Sequence, residues 1–265
     1  MKKKLIVIIL TVALLLASCG LGVATVFRVD GVRLDTLRIS EESHEEAQAL
    51  RVRLEEIYKD KSIFTVRKSQ AEKVLVEYPY FRIKSFKRSY PNVLVIEVVE
   101  DEEVFVVETS PNSGQYYVLS LDGTVLGVRD NDLNRFDDQR NVLLKGKDLT
   151  VIGEKGFVIS GDDCLAPMLN LCKVLSDELN GLRGNLRSVE ILFRPTEGPV
   201  LRLEMQEGVE MVFYNPDKST IEKAKAGIDK YFALSDLNKM SGTILVFDEN
   251  EKIITHYDAD GINLS

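Results

Sequence analysis

"KRSYPNVLVIEVVEDEE", Lys87 to Glu103, joins a basic segment to an apolar one through a proline-containing link, then ends in acids. Ser89-Tyr90-Pro91-Asn92 is good turn chemistry, because proline presets φ and asparagine tolerates the backbone angles a turn needs. Before the turn, Phe81 to Arg88 carries Arg82, Lys84, Lys87 and Arg88; after it, Val93 to Glu100 is apolar on both faces except at Glu97. A strand apolar on both faces belongs inside a sheet. A strand studded with lysine and arginine belongs at an edge, where charge discourages stray pairing. The stretch is therefore expected to be a hairpin whose second strand is central.

Upstream, the alternation over Val26 to Leu34 predicts a strand whose phase slips at Gly31, as at a bulge. Ser43 with Glu46 reads as a capping box opening a helix, in which Ala47, Leu50, Leu54 and Ile57 recur at helical spacing. Ser62 to Val66 reads as a short extended link. A second capping box, Ser69 with Glu72, opens a short helix carrying Val74, Leu75 and Tyr78, which Pro79 closes. The order is β-α-α-β-β.

Downstream of Asp101, short strands are expected at Val104 to Glu108, Gln115 to Leu119 and Thr124 to Val128, with turns at Pro111 to Gly114 and Leu121 to Gly123. Asp130 to Arg140 reads as a polar loop. A helix follows over about Asp163 to Leu179, with Leu165, Met168, Leu169, Cys172, Leu175 and Leu179 on one face. Strands are then expected at Ser188 to Phe193, Val200 to Met205 and Val209 to Tyr214. A helix over Asp217 to Leu234 carries a third capping box, Ser219 with Glu222, and the last expected element is a hairpin of Thr243 to Phe247 and Lys252 to Tyr257. The fold class is α+β.

The N-terminal segment bears on the compartment. "MKKK" precedes a run from Leu5 to Phe27 with no charge before Arg28. As a helix this run reaches roughly 34 Å, enough for a hydrocarbon core of about 30 Å. The lysines favour a cytoplasmic N-terminus and an exported body. Residues 1–4 are thus expected to be a cytoplasmic tail and 5–27 a transmembrane anchor. "LASC", Leu16 to Cys19, also resembles a lipobox, which would make Cys19 an acylated N-terminus and the chain a surface lipoprotein with a binding role; the apolar run continues past Cys19 with no polar linker.

Charge narrows the partners. Net charge is −8, and the chain beyond Lys2, Lys3 and Lys4 carries −11. That is the wrong sign for a phosphate backbone, which requires clustered lysine and arginine, so no nucleic acid is expected. Cys164 and Cys172 lie roughly 12 Å apart on one helix, too far for a disulfide, and are expected to be small core residues.

Residue types that carry chemistry are sparse. The two histidines, His44 and His256, have no local metal or triad signature and read as surface groups. Asp130, Asp132 and Asn134 begin like a calcium loop, but Arg135 stands where the turn glycine belongs and Asn141 where a bidentate glutamate belongs. The acids of "EVVEDEE" read as a solvated face or linker. No catalytic residue, metal, cofactor or small-molecule substrate is expected. Sheet edges become the expected functional parts, because an edge strand can accept a partner's strand through main-chain hydrogen bonds.

A short tail, one apolar run and a β-α-α-β-β module ending in "YPYFRIKSFKRSYPNVLVIEVVEDEEVFVV" resemble the FtsQ/DivIB family of bacterial cell-division proteins. The matching positions are Pro79, Phe81, Arg88, Tyr90, Pro91, Asn92, Leu94, Ile96, Val98 and Glu100, and "YYVLSLDGTVLG", Tyr116 to Gly127, resembles the opening of that family's β domain. This chain departs from the pattern after Glu100, where Asp101, Glu102 and Glu103 replace the usual Arg-x-Pro, and its first strand lacks the usual Ser-Gly-Asn turn. The resemblance implies a POTRA domain over 28–100 and a β domain of hairpins with two helices over 101–265. It also implies a non-enzymatic scaffold that binds FtsL- and FtsB/DivIC-like membrane partners and helps control septal wall synthesis. The docking positions it implies are Phe247, Ile254, His256 and Tyr257 on the last strands, with Arg82 and Lys84 on the edge of the first module as a second surface.

Overall fold

The computed structural model describes residues 26–261, apart from 136, 138, 147, 148, 150, 162 and 195–197. The chain divides into two compact units, with the boundary between Asp101 and Glu102. The architecture is mixed α+β. Cys19 and residues 1–25 of the expected tail and anchor lie outside the described residues. Among those described, no helix is long and apolar enough to cross a membrane.

The first unit contains β1 (Gly31–Leu37), α1 (His44–Tyr58), α2 (Lys68–Leu75), β2 (Phe81–Ser89) and β3 (Val93–Glu100). The sheet order is β1-β3-β2, so the apolar strand is central and the basic strand is an edge. β3 runs parallel to β1 and antiparallel to β2. Leu94, Ile96 and Val98 are fully buried, in one cluster with Leu50, Leu54 and Tyr58 of α1 and Ala71 and Val74 of α2. The other face of β3, with Val93, Val95, Glu97 and Val99, is only half-buried, which corrects the expectation of a strand covered on both sides. Among the described residues, helices cover only one face of this sheet.

Other local expectations also change. Gly31 starts β1 rather than bulging it. The residues before it pair elsewhere: Val29 N–H donates to Lys61 O at 2.8 Å and Ile63 N–H to Phe27 O at 2.8 Å. Ser62 to Val66 is a turn rather than an extended link, closed by Thr65 N–H on Ser62 O at 3.0 Å. None of the three expected serine caps forms. Ser43 Oγ donates to Glu100, Ser69 lies inside α2, and Ser219 sits at φ 51° with no side-chain cap bond. At α2 the Gln70 side chain accepts from Arg67 N–H at 3.2 Å instead.

The acidic run is not a solvated face. Glu100 accepts from Ser40 N–H at 2.7 Å, Ser40 Oγ at 3.1 Å and Ser43 Oγ, so it anchors the entry to α1. Asp101 meets Arg82 at 3.0 Å. Glu103 is fully buried.

The second unit is built on a nine-stranded sheet in the order β14-β13-β12-β11-β10-β7-β4-β5-β6. Its strands are β4 (Phe105–Glu108), β5 (Tyr116–Leu119), β6 (Val125–Arg129), β7 (Val142–Gly146), β10 (Leu186–Arg194), β11 (Gly198–Met205), β12 (Glu210–Tyr214), β13 (Thr243–Glu249) and β14 (Lys252–Asp258). A two-stranded ribbon, β8 (Val151–Ile152) with β9 (Ser160–Gly161), lies apart from it. Helices α3 (Leu165–Glu178), α4 (Thr220–Phe232) and the short α5 (Asp236–Lys239) complete the unit.

The sheet is more than a set of hairpins, since β4 with β7, β7 with β10 and β12 with β13 pair in parallel. β7, which joins the two halves of the sheet, has no counterpart among the strands expected from sequence. On α3 the buried face includes Leu171, and Leu169 is only partly buried. Cys164 and Cys172 are both buried and free. Burial pushes the Cys172 thiol up to about 12.

The polar loop is organised by Glu103. Its carboxylate accepts from both Arg129 nitrogens, from Arg135 N–H at 2.9 Å and from Asn141 Nδ2 at 3.4 Å. Asn134 Nδ2 donates to Asn141 Oδ1 at 2.9 Å. Asn134, which imitates a calcium ligand, and Asn141, which stands where the bidentate glutamate belongs, thus make the loop's internal hydrogen bonds.

Candidate interaction edge

β13 and β14 form a hairpin because Asn250 and Glu251 both take positive φ, 50° and 63°. Two such residues make the type I′ turn, whose twist matches the flanking strands. The register that results sets Phe247 opposite Ile254, Leu245 opposite His256 and Thr243 opposite Asp258. Alternation then sorts the side chains onto two faces. Ile253 and Tyr257 pack against the large core with Ile244 and Val246, while Phe247, Ile254 and His256 stand on the other face.

That other face has a half-buried apolar strip beside the edge. The Tyr214 and Phe247 rings meet edge-on at 6.5 Å, and Leu245 and Ile254 continue the strip across β13 and β14. Farther in, the face is charged but internally paired. Arg202 meets Glu190 and, at 3.9 Å, Glu210, while Glu204 meets Arg187 at 3.5 Å and Lys145 at 3.8 Å.

A buried lysine holds the strip in place. Lys223 of α4 has no exposed surface and donates to Tyr214 O and Asn215 O, both at 2.8 Å, and lies 2.5 Å from Asp248. All three ammonium donors are matched, which is what permits a lysine there. The helix is thereby fastened to the ends of β12 and β13. Nothing in the sequence marks Lys223, which reads as one more cation on an amphipathic helix.

β14 is the last strand of its sheet, so one side of its backbone has no strand beside it among the described residues. The opposite edge, β6, is partly covered: Val125 N–H donates to Phe157 O and Gly156 N–H to Val125 O, both at 2.9 Å. In the first unit the β2 edge carries a register break between Ile83 and Ser85, and Lys84 sits at that break. Arg82 is held by Asp101. Bulges and charges are the devices by which edges resist strand addition. β14 carries no such break in its register with β13.

The four expected docking residues therefore do not share a face. Phe247, Ile254 and His256 lie together beside the free edge. Tyr257 points to the core side, where its hydroxyl reaches Asn238 O at 3.1 Å and Ser241 O at 3.2 Å and donates to one or the other.

A cleft of about 630 Å³ lies at the carboxyl ends of β4 and β7, lined by Val107, Glu108, Tyr116, Lys145 and Leu149 among others. Among the described residues that line it, Glu108 is the one carboxylate, and it accepts from Asn112 N–H at 3.2 Å. Paired-acid glycoside chemistry needs a second acid within about 10 Å across a groove, and the described lining residues do not include one. Among the described residues no three His, Cys, Asp or Glu side chains converge to hold a metal ion. No family model matches the chain, and no curated protein is significantly similar to it.

Proposed function

We propose that this chain is a membrane-tethered scaffold of the bacterial division machinery, of the FtsQ/DivIB kind, that binds FtsL- and FtsB/DivIC-like partners on the outer face of the membrane. The β-α-α-β-β order of the first unit, with its last strand central, supports a POTRA domain. The single observation that carries the reading is the free margin of β14 beside the Tyr214, Leu245, Phe247 and Ile254 strip. A partner strand laid along β14 gains main-chain hydrogen bonds, and every second side chain of that strand falls on the same face as the strip, beside Ile254 at its outer end. Affinity then comes from the backbone and selectivity from the strip.

Proline scanning tests this. Along an edge strand alternate residues point their N–H outward, so of Ile254→Pro and Thr255→Pro one removes an outward donor and the other a bond to β13. The expected result is that the outward-facing variant folds normally yet loses co-purification with the FtsB/DivIC-like partner, and cells relying on it grow as undivided filaments. Full co-purification by both variants contradicts the reading. The lipobox-like Leu16 to Cys19 favours a second reading, a surface lipoprotein with a binding role outside division. Lipid labelling that disappears in Cys19→Ala would support it.

A further inference from the structure

Three segments of the first unit come together at one place. Ile63 N–H bonds Phe27 O, Asp30 N–H bonds Asn92 O at 2.9 Å, and Arg88 donates to Val66 O at 2.7 Å. There the rings of Phe27, Phe64 and Tyr90 form a triangle, with centroids 5.1, 5.7 and 6.3 Å apart. Phe64 and Tyr90 are 56% and 58% exposed, and Val26 beside them is 53% exposed. A cluster of large apolar side chains so open to solvent is unusual unless something covers it.

Two observations identify the cover. The first is where the chain comes from. Phe27 is both a member of the triangle and the last residue of the uncharged run that starts at Leu5. Should that run cross a bilayer, Phe27 sits at the water boundary and there is no linker to lift the triangle away from it. Should the chain instead be acylated at Cys19, the intervening residues span at most about 30 Å. The second is charge. The three segments 26–30, 59–68 and 87–92 carry Arg28, Lys59, Lys61, Arg67, Lys87 and Arg88, all exposed, against Asp30 and Asp60, with Lys68 held by Glu72 at 3.0 Å, in a protein of net charge −8.

We propose that Phe27, Phe64 and Tyr90 seat this end of the first unit in the headgroup layer of an anionic bilayer, with the surrounding lysines and arginines meeting lipid phosphates. Aromatic rings prefer the headgroup level, where an apolar body and a polar rim are both accommodated. Basic side chains near an anionic surface add to that attraction. The unit is then oriented by the membrane as well as tethered to it. This rests on the membrane-tethered reading above.

The chain contains no tryptophan, so Phe64→Trp or Tyr90→Trp installs a single fluorescent reporter, with Val52→Trp on an exposed part of α1 as control. The full chain is reconstituted into vesicles of phosphatidylcholine with phosphatidylglycerol and, separately, of phosphatidylcholine alone, each with bromine-labelled acyl chains. The expected result is blue-shifted emission and bromine quenching at positions 64 and 90, and none at 52. The effect should weaken without phosphatidylglycerol. Lys61→Gln and Arg67→Gln should each lower the seated-to-free ratio about fivefold. Reporters at 64 and 90 as solvent-exposed as the one at 52, in protein that floats with the vesicles, would overturn the seating and leave the tether standing. Protein that does not float would overturn both.

Discussion

Removing Arg129 should damage the second unit more than neutralising the acid it pairs with. Glu103 has no exposed surface, whereas the Arg129 side chain keeps 24% of its own. In Arg129→Ala the carboxylate remains buried and loses the Arg129 guanidinium, with Arg135 N–H and Asn141 Nδ2 among the donors it keeps. Breaking a buried pair in this way costs about 3–5 kcal/mol. In Glu103→Gln the buried charge disappears and the arginine can turn its exposed part to water. The loss is then about 1–3 kcal/mol, from donors left without an acceptor. The double variant should be less destabilised than the sum of the two, because the costliest element of Arg129→Ala, a buried charge that has lost its Arg129 guanidinium, is absent from it. Urea unfolding of the protein in mild detergent, followed by circular dichroism, measures all three. If Arg129→Ala proves no worse than Glu103→Gln, or if the effects simply add, then Glu103 is not the anchor of the 130–141 loop.

Further outcomes follow from the same contacts. Glu100→Ala should cost about 1–3 kcal/mol, since Ser40 and Ser43 lose their acceptor at the entry to α1; thermal unfolding checks it. High pH should destabilise the protein. Burial raises Tyr58 to about 12, and its hydroxyl donates to Arg67 O at 2.7 Å. A group whose folded value is raised keeps its stabilising effect below the unfolded value and loses it as pH climbs. Tyr58 should therefore remove roughly 2–3 kcal/mol between about pH 10 and 12. Cys172 adds a decline that starts near pH 9, and a urea midpoint constant from pH 8 to 12 would contradict both. For the same reason Cys172 should resist alkylation in the native protein and react only after unfolding, as mass spectrometry would show. Finally, Gly123 has φ 84° and an added Cβ would lie 2.6 Å from Leu169 Cδ1, so Gly123→Val should lower the melting temperature by several degrees, as calorimetry would show.

Much of the architecture was legible because it rests on one-dimensional signals. The basic strand and the apolar strand around Tyr90-Pro91-Asn92 are distinguishable by charge alone, and hydrophobic spacing marks α1 and α3. What failed was mostly where a polar residue's partner lies far along the chain. Ser43 has the right neighbours for a helix cap, yet its hydroxyl goes to Glu100, 57 residues away. Glu103 looks like part of a solvated run because Arg129 and Arg135 are distant in sequence. β7 was missed because "NVLLKG" follows a polar loop with no turn signal, and its parallel neighbours β4 and β10 supply the pairing that its own residues do not announce. At the edge, the terminal hairpin was legible, but the sorting of Tyr257 away from Phe247, Ile254 and His256 required the register set by Asn250 and Glu251.

Whether a partner strand occupies the margin of β14 is most directly measured by amide hydrogen exchange over Lys252 to Asp258, with and without the proposed FtsB/DivIC-like partner. The outward-pointing amides of that strand should exchange freely in the protein alone and become protected when the partner is added, alternating with amides already protected by β13. Exchange along β14 that is unchanged by a bound partner, or slow at every position before the partner is added, would contradict the account.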